Sequence, residues 1–560
     1  MSERPTGIFF LLAVALCSCG REGATPNTEP DASSTETVDS DSGVMDFVDA
    51  EAFFSDQLPE WKMDWITHSR QLSVDYAYVY LNNLVYNGGR ISASGFYNGG
   101  IAFAAEAPGA TEEFANGENG WVTQYDLTGR LQWLRRVGAN NQDSPMTQGL
   151  ALGKDVDGGV LFAGIYEPWR TEFNSGLPDE QSLECKGPEC LSSPGFFVRY
   201  ESNGEIGFVG QVEVGPANGM EGGLFPIYEI NRLSDDTLAL SGAYKGLLKY
   251  TDSTGQPAAT ISNPDIGEDA VVVLLSSNLQ IKNVIALGTN HDDYIMDLAP
   301  NPDGTFYLLG GYMGPVTFAP GEENEEIVIP QGRIGTYLAK YENSGRLLWV
   351  HNVDYNALGL NGGSITVASN GDVLLYETVY EVELPVGDSE NESVMTAEGD
   401  RYGLLHMARF DANGNRLWSR SHRLSGSVVD CAELQNGKFA CVCVAYGDVV
   451  FNMEQDDEFT AHNLSEFEEA GVLVFFDGDG RAEEALVTTS PSGVEFTQVE
   501  SKPADELGPE TVYVAGVFSD AVRFGTGGGD QVVVDVGPGD TFGWFNSQMF
   551  IFALVREEQE

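Results

Sequence analysis

Three kinds of residue in this chain have the types and spacing that chemistry could use. The first kind is oxygen-rich. Asp477-Gly-Asp-Gly480 with Glu483, and Asp155-Val-Asp157-Gly158, bring carboxylates close together, as a calcium ion taking about 6–8 oxygen ligands would require. Asp292, Asp293 and Asp297 form a third acidic group. The second kind is thiol. Cys185-Lys-Gly-Pro-Glu-Cys190 can close on itself through its Gly-Pro turn, and Cys431 and Cys441 flank Gln435-Asn-Gly437. With Gly437 in the left-handed conformation, the latter two face each other across a hairpin, which is disulfide geometry. Cys443 is then the odd thiol, on a strand, and no His or second CxxC accompanies the group to make it a metal site. The third kind is histidine: His68, His291, His351, His406, His422 and His462 form no HExxH or other ligand spacing. No GxSxG elbow, P-loop or paired catalytic signature occurs either, so no catalytic residue is nominated.

The elements that must position these residues repeat. Tyr125-Asp-Leu-Thr-Gly-Arg-Leu-Gln-Trp133 is an aromatic residue and a carboxylate leading into a Gly turn, then a short strand ending on Trp. Related runs start at Tyr200, Tyr341, Phe410 and Phe476. A second landmark, an apolar strand ending in Gly-x-Tyr or a relaxed form of it, recurs at Tyr97, Tyr166, Tyr244, Tyr312, Tyr380, Tyr446 and Phe518. Its steps by subtraction are 69, 78, 68, 68, 66 and 72 residues. Each period holds about four short strands separated by turn chemistry, as in the Pro-Asp-Gly turn at 302–304. Four-stranded antiparallel sheets repeated radially describe a β-propeller, here with seven blades. Both calcium-like fragments fall where other copies have a plain hairpin turn, and as turns they are read. Asp292, Asp293 and Asp297 lie on and just before an innermost strand, which could set them at the channel mouth. The recurring Trp and Tyr residues read as wedges between blades rather than as sugar platforms.

The last copy ends at Glu560 where the others would turn into their Trp strand. At the other end Trp65 precedes Tyr97 by 32 residues, as Trp133 precedes Tyr166 by 33 and Trp349 precedes Tyr380 by 31. The segment around 61–71 should therefore supply the outer strand of the last blade, removing an open sheet edge.

Gly288-Thr-Asn-His-Asp-Asp-Tyr294 through Gly310, and strand pairs such as Tyr337-Leu-Ala-Lys-Tyr341 before the Gly turns, resemble the SBBP-type β-propeller repeat family of bacterial surface and secreted proteins. The resemblance implies a fold and an extracytoplasmic setting, without a defined activity. The Tyr125–Trp133 run also resembles the quinoprotein repeat. The vicinal Cys-Cys pair of the quinone-dependent dehydrogenases is absent from this sequence, however, and its period is longer than theirs. The outer-membrane lipoprotein propeller that scaffolds barrel assembly is a closer analogue, at the level of fold alone.

Arg4 precedes a nine-residue apolar run, Ile8 to Leu16, which suits the h-region of an export signal and is too short to span a bilayer. Leu16-Cys17-Ser18-Cys19 resembles a bacterial lipobox, which implies a signal peptide over 1–18 and a lipidated Cys19. Gly20 after the Cys points to the outer membrane, on its surface or periplasmic face; a plain secretory signal is the alternative. Residues 19–58 read as an acidic disordered tether, since 22–60 carries eleven acids and no Lys or Arg. Residues 59–560 then form the propeller.

Across the 560 residues, 85 acids against 29 Lys and Arg give a net charge of −56. Such a surface repels phosphate backbones, so nucleic acid is excluded as a partner. The expectation is a monomeric, membrane-anchored binding or scaffolding module, without a cofactor unless calcium is bound. Its protein or carbohydrate partner would meet the long insertions near 170–192, 381–400 and 453–468. The alternative is an extracellular polysaccharide hydrolase or lyase using carboxylates at the channel mouth.

Overall fold

The computed structural model describes Leu58 and residues 61–556, apart from 73–76, 105–109, 139–145, 168–169, 185–192, 216–225, 252–256, 263–266, 331–334, 354–359, 380–382, 386–393, 397–403, 425, 453–456, 463–468, 490–492, 506, 519–521, 525–531 and 535–546. Among these the regular structure is β-strand, apart from single 3₁₀ turns at 156–158 and 435–437. The strands form antiparallel sheets, four strands at a time in chain order. Sheet I is Tyr78–Asn87, Arg90–Phe103, Thr111–Asp126 and Leu131–Val137. Sheet II is Met146–Lys154, Val160–Glu167, Gly195–Tyr200 and Ile206–Gly215, and sheet III is Ile227–Arg232, Leu238–Tyr244, Asp269–Leu275 and Ile281–Leu287. Sheet IV is Tyr294–Asn301, Thr305–Tyr312, Gly335–Glu342 and Leu347–Asn352, and sheet V is Leu360–Val367, Val373–Val379, Leu404–Phe410 and Arg416–Arg423. Sheet VI is Gly426–Glu433, Phe439–Ala445, Ala470–Phe476 and Ala482–Thr489. Sheet VII breaks the rule: Val494–Lys502, Thr511–Phe518 and Gln548–Arg556 take their fourth strand, Trp61–His68, from the other end of the chain.

Middle strands such as 271–275 and 472–476 are unbroken apolar runs, because each sheet is buried on both faces. Residues of one strand alternate between neighbours: Ala239 joins the core between sheets III and IV, whereas Leu238 and Leu240 join that between II and III. The first strands touch in succession from sheet I to sheet VII, and Val494–Lys502 touches Tyr78–Asn87 in turn, so the order of contacts returns to its start.

The two sequence landmarks work together. In the aromatic-acid-x-x-Gly turn the acid holds the loop: Asp126 Oδ1 accepts from the Thr128 and Arg130 amides at 3.0 and 3.1 Å, and Asp411 does the same for Asn413 and Asn415, each at 2.9 Å. The turn glycine has positive φ, +74° at Gly129 and +75° at Gly480. A Cβ there would also strike an indole of the preceding sheet, Trp65 or Trp418 respectively. That indole donates to a turn carbonyl: Trp65 to Leu127 at 2.8 Å, Trp133 to Ser202 at 3.1 Å, and Trp418 to Gly478 at 2.9 Å. The tryptophans are thus inter-sheet latches, as the wedge reading expects, whereas Tyr446 stays 39% exposed and is not one. Trp418→Phe should lower unfolding free energy by ~1 kcal/mol, the worth of the lost hydrogen bond. Trp418→Ala should cost ~3–5 kcal/mol through the cavity as well. Urea unfolding of both variants checks this; an unchanged Trp418→Phe would mean the bond contributes nothing.

Between the second and third strands, most sheets carry a hairpin that the sequence reading took as loop. Arg170–Phe173 with Gln181–Glu184 joins the outer strand of sheet I at Val137, and Leu247–Thr251 with Pro257–Ser262 joins that of sheet II over 211–215. Val449–Phe451 with Phe459–Ala461 joins sheet V at Arg423, and Val522–Phe524 with Val532–Val534 joins sheet VI at Thr488. The described parts of two of the three insertions expected to meet partners therefore extend a neighbour's outer edge, which would otherwise present unpaired amides and carbonyls. The third holds a hairpin of its own, Glu383–Pro385 with Val394–Thr396.

Candidate functional site

A site in this fold has to be built from the first strands, each of which packs against the next. Each of them carries a register shift against its second strand, between Leu81 and Asn83, Gly149 and Ala151, Ile227 and Glu229, Ile295 and Asp297, Leu360 and Gly363, Val428 and Asp430, and Phe496 and Gln498. The extra residue reverses the in-out alternation and turns polar side chains inward. Asn83 Nδ2 donates to the Leu150 carbonyl at 2.8 Å. Asp297 accepts the Ile365 amide at 2.8 Å and the Ser364 hydroxyl. Asp430 accepts the Val499 amide at 2.9 Å and the Tyr376 hydroxyl at 3.0 Å. These polar groups tie the first strands of sheets I and II, IV and V, and VI and VII together.

Burial away from water raises the Asp297 carboxyl and pushes Asp430 up to about 7, against which their hydrogen bonds work. Glu229 is different. Burial, then the charges of Asp297 and Asp430, hold it well above the ordinary carboxylate range, although it keeps some exposed surface. Glu229 of sheet III thus lies within electrostatic reach of acids on sheets IV and VI.

At the ends where the first strands begin, a second group forms an arc over sheets VI, VII, I and II. Glu118 accepts from the Tyr78 hydroxyl and from Gln148 Nε2, both at 2.6 Å. Tyr78 meets Tyr80 edge-on at 5.5 Å, and Tyr80 stacks on Phe96 at 4.9 Å. Burial raises the Tyr80 phenol, and Glu495 and Glu118 add to the effect. Glu495 in turn meets Glu469, which precedes the third strand of sheet VI. Burial and the neighbouring carboxyl hold Glu495 well above the usual range; Glu469 is raised by burial, with hydrogen bonds from Tyr446 and Glu495 opposing. Two carboxyls in hydrogen-bond contact need one proton between them, since neither can donate when both are ionised.

Of the residues singled out from sequence, Asp297 lies among the inner strands as described. Asp293 is only 2% exposed and bonds back within its own sheet, accepting the Thr289 amide at 2.5 Å and the Met313 amide at 3.3 Å; burial pushes it up to about 6. Asp292 stays at the surface and accepts the Glu268 amide at 3.1 Å. Asp477 Oδ1 holds its own turn through the Asp479 and Arg481 amides, each at 2.9 Å, and Asp155 is clamped by Arg199 and Arg232. Cys431 and Cys441 form the disulfide, 4.0 Å apart at Cα, with Gly437 at φ +72°. Cys443 is buried and free, and burial raises its thiol. Cys19, Cys185 and Cys190 lie outside the described residues. The sequence reading missed Glu229, Asp430, Glu469 and Glu495. The register shift hid the first two, and the last two meet only in three dimensions.

No family model matches the chain, and no curated protein matches it. A protein of unknown function from Bacteroides caccae aligns over 65% of this chain and 89% of its own, at 9% identity and a TM-score of 0.27. A xylan β-1,4-xylosidase from Bacillus halodurans C-125 aligns over 89% of this chain and 100% of its own, at 10% identity and a TM-score of 0.21.

Proposed function

We propose that residues 59–560 form a seven-bladed β-propeller that serves as a binding or scaffolding module, carried at the outer membrane on a lipidated Cys19. The cyclic succession of first-strand contacts and the strand shared by the two ends of the chain support the propeller. The arc of Tyr78, Tyr80, Glu118, Gln148, Glu469 and Glu495 is the observation that carries the binding reading. Strand direction puts it at a telling place: Trp61 pairs with Arg556 and Lys502 with Thr511 at one end of sheet VII, while Glu495 lies near the other. Trp61 therefore lies at the end of sheet VII remote from Glu495.

Hydrolysis or lysis of polysaccharide is the weaker reading. Paired glycosidase carboxyls stand roughly 5 Å or more apart, whereas Glu469 and Glu495 share a hydrogen bond. A photo-crosslinking residue placed at Asn98 in intact cells should give discrete adducts, and one at Thr128, on the opposite end, should give none. Equal adducts from both, or none from Asn98, would contradict the reading. For the anchor, Cys19→Ala should move the protein from the outer-membrane fraction to the soluble one.

A further inference from the structure

We propose that the sheet I part of the arc, with Gln148 of sheet II beside it, is a binding site for a neutral polysaccharide. One sugar ring lies on Tyr80, and its hydroxyls bond to Glu118 and Gln148. The inference rests on the binding-module reading above and names its ligand class. Strand register builds the site. Tyr80 stands opposite Phe96 and Tyr78 opposite Asn98, so these four side chains share one face of sheet I. Val79 and Leu81, on the other face, join the core shared with sheet VII, and the four therefore turn toward sheet II. The first strand of sheet II runs hard against sheet I here: a Cβ on Gly149 would stand 2.7 Å from the Gly95 carbonyl, and the preceding Gln148 meets Glu118. Direct contacts then link the group. Glu118 accepts from Tyr78 and Gln148, both at 2.6 Å, Tyr78 meets Tyr80 edge-on at 5.5 Å, and Tyr80 stacks on Phe96 at 4.9 Å. Each of these side chains is half-buried, so each keeps surface that a ligand can reach.

The mixture of groups decides the ligand class. Phe96 holds Tyr80 on one face and Tyr78 holds its edge, so the ring is fixed before a ligand arrives and little ordering entropy is lost on binding. Such a ring suits the C–H face of a sugar, which is apolar while its rim is polar. Each Glu118 oxygen takes one donor and has a lone pair left, and Gln148 uses one of its two N–H groups there. The site thus offers acceptors and a donor side by side, which vicinal hydroxyls, each both donor and acceptor, satisfy together. An anionic glycan would meet Glu118 on a protein of net charge −56. A cation would meet the Gln148 amide hydrogen at the same carboxylate. A wholly apolar ligand would take water from Glu118 and Gln148 and give nothing back.

The test is affinity electrophoresis of the full-length protein through gels holding dextran, xylan, galactomannan or mixed-linkage β-glucan, with polygalacturonate as the anionic counterpart. At least one neutral polymer should retard the wild type. Tyr80→Ala and Gln148→Ala should each weaken that binding about tenfold, from the loss of the stacked ring or of the donor. Glu118→Gln, which keeps the shape and replaces one acceptor by a donor, should weaken it as well. Leu507→Ala removes a side chain that is 56% exposed, in the turn between Val494–Lys502 and Thr511–Phe518, and should change nothing. Should Tyr80→Ala melt early, Gln148→Ala carries the test. Retention by polygalacturonate alone, no retardation by any neutral polymer, or equal losses in Leu507→Ala and Tyr80→Ala would overturn the inference. Discrete Asn98 adducts that carry protein and no sugar would also overturn it, yet leave the module reading standing; absence of Asn98 adducts would remove that reading itself.

Discussion

Deleting residues 59–72 is expected to abolish cooperative folding of the remaining chain. Trp61–His68 pairs antiparallel with Gln548–Arg556 from Trp61 opposite Arg556 to His68 opposite Phe550. Its side chains reach three sheets: Trp61 stacks on Phe475 of sheet VI at 4.9 Å, Trp65 lies 6.1 Å from Tyr513 of sheet VII, and the Trp65 indole latches sheet I. Trp61, Met63 and Trp65 are 5–6% exposed. Burying a large apolar side chain stabilises by about 1.5–3 kcal/mol, so these three contribute ~5–9 kcal/mol. Domains of this kind have a net stability of about 5–15 kcal/mol. The deletion removes most of that, and it exposes the edge of 548–556 to other chains. Circular dichroism during heating checks it: the truncated protein should lose its sharp transition, and a synthetic 59–72 peptide should restore it. An unchanged melting curve would refute the clasp.

The second large effect is with pH. The fold should become more stable as pH falls from about 8 to about 4.5, contrary to the usual acid lability of proteins. Asp430 titrates at about 7 and Asp293 at about 6, from an ordinary 3.8. Glu229 and Glu495 are held well above their usual value, and Asp297, Glu469, Glu500 and Glu268 are raised by burial. For each such group the folded state holds a proton that the unfolded chain has released. Stability is therefore lost as pH rises from the unfolded value through the folded one, by ~1.4 kcal/mol per pH unit per group.

His422 opposes this. Burial lowers it to about 4, so it costs stability as pH falls through its unfolded range near 6.5. One histidine does not outweigh several carboxyls. Below about pH 4 the sign reverses, as Asp235, Asp411 and Asp505, whose hydrogen bonds or ion pairs hold them low, become protonated and lose those partners. Asp430→Asn should flatten part of the slope between pH 4 and 7. A midpoint temperature that rises steadily from pH 5 to pH 8 would contradict the account.

Much of this architecture was legible from sequence because it is written in strong local signals. A Gly with positive φ, a carboxylate two to four residues from the amides it caps and a Trp at fixed distance recur at one period, and the latch between sheets requires all three. The shared strand was legible by subtraction alone, from the distance of Trp65 to Tyr97. The edge hairpins were not, because strands such as Phe459–Ala461 have three residues and no alternation to read. The inner acids escaped for a sharper reason. A period of two puts Asp297 on the same face as buried Ile295, and only the register shift at Met296 separates them. Asp293 shows what no pattern gives, a side chain's partners: the Thr289 and Met313 amides hold its carboxyl.

The measurement that bears most directly on the account is an experimental density map of residues 59–560 that separates strands. It should show seven four-stranded sectors about a single axis, with Trp61–His68 beside Gln548–Arg556 in the last of them and Tyr80, Glu469 and Glu495 together at the axial end remote from Trp61. A different number of sectors, two unrelated globules, or a first strand lying apart from the last would contradict it.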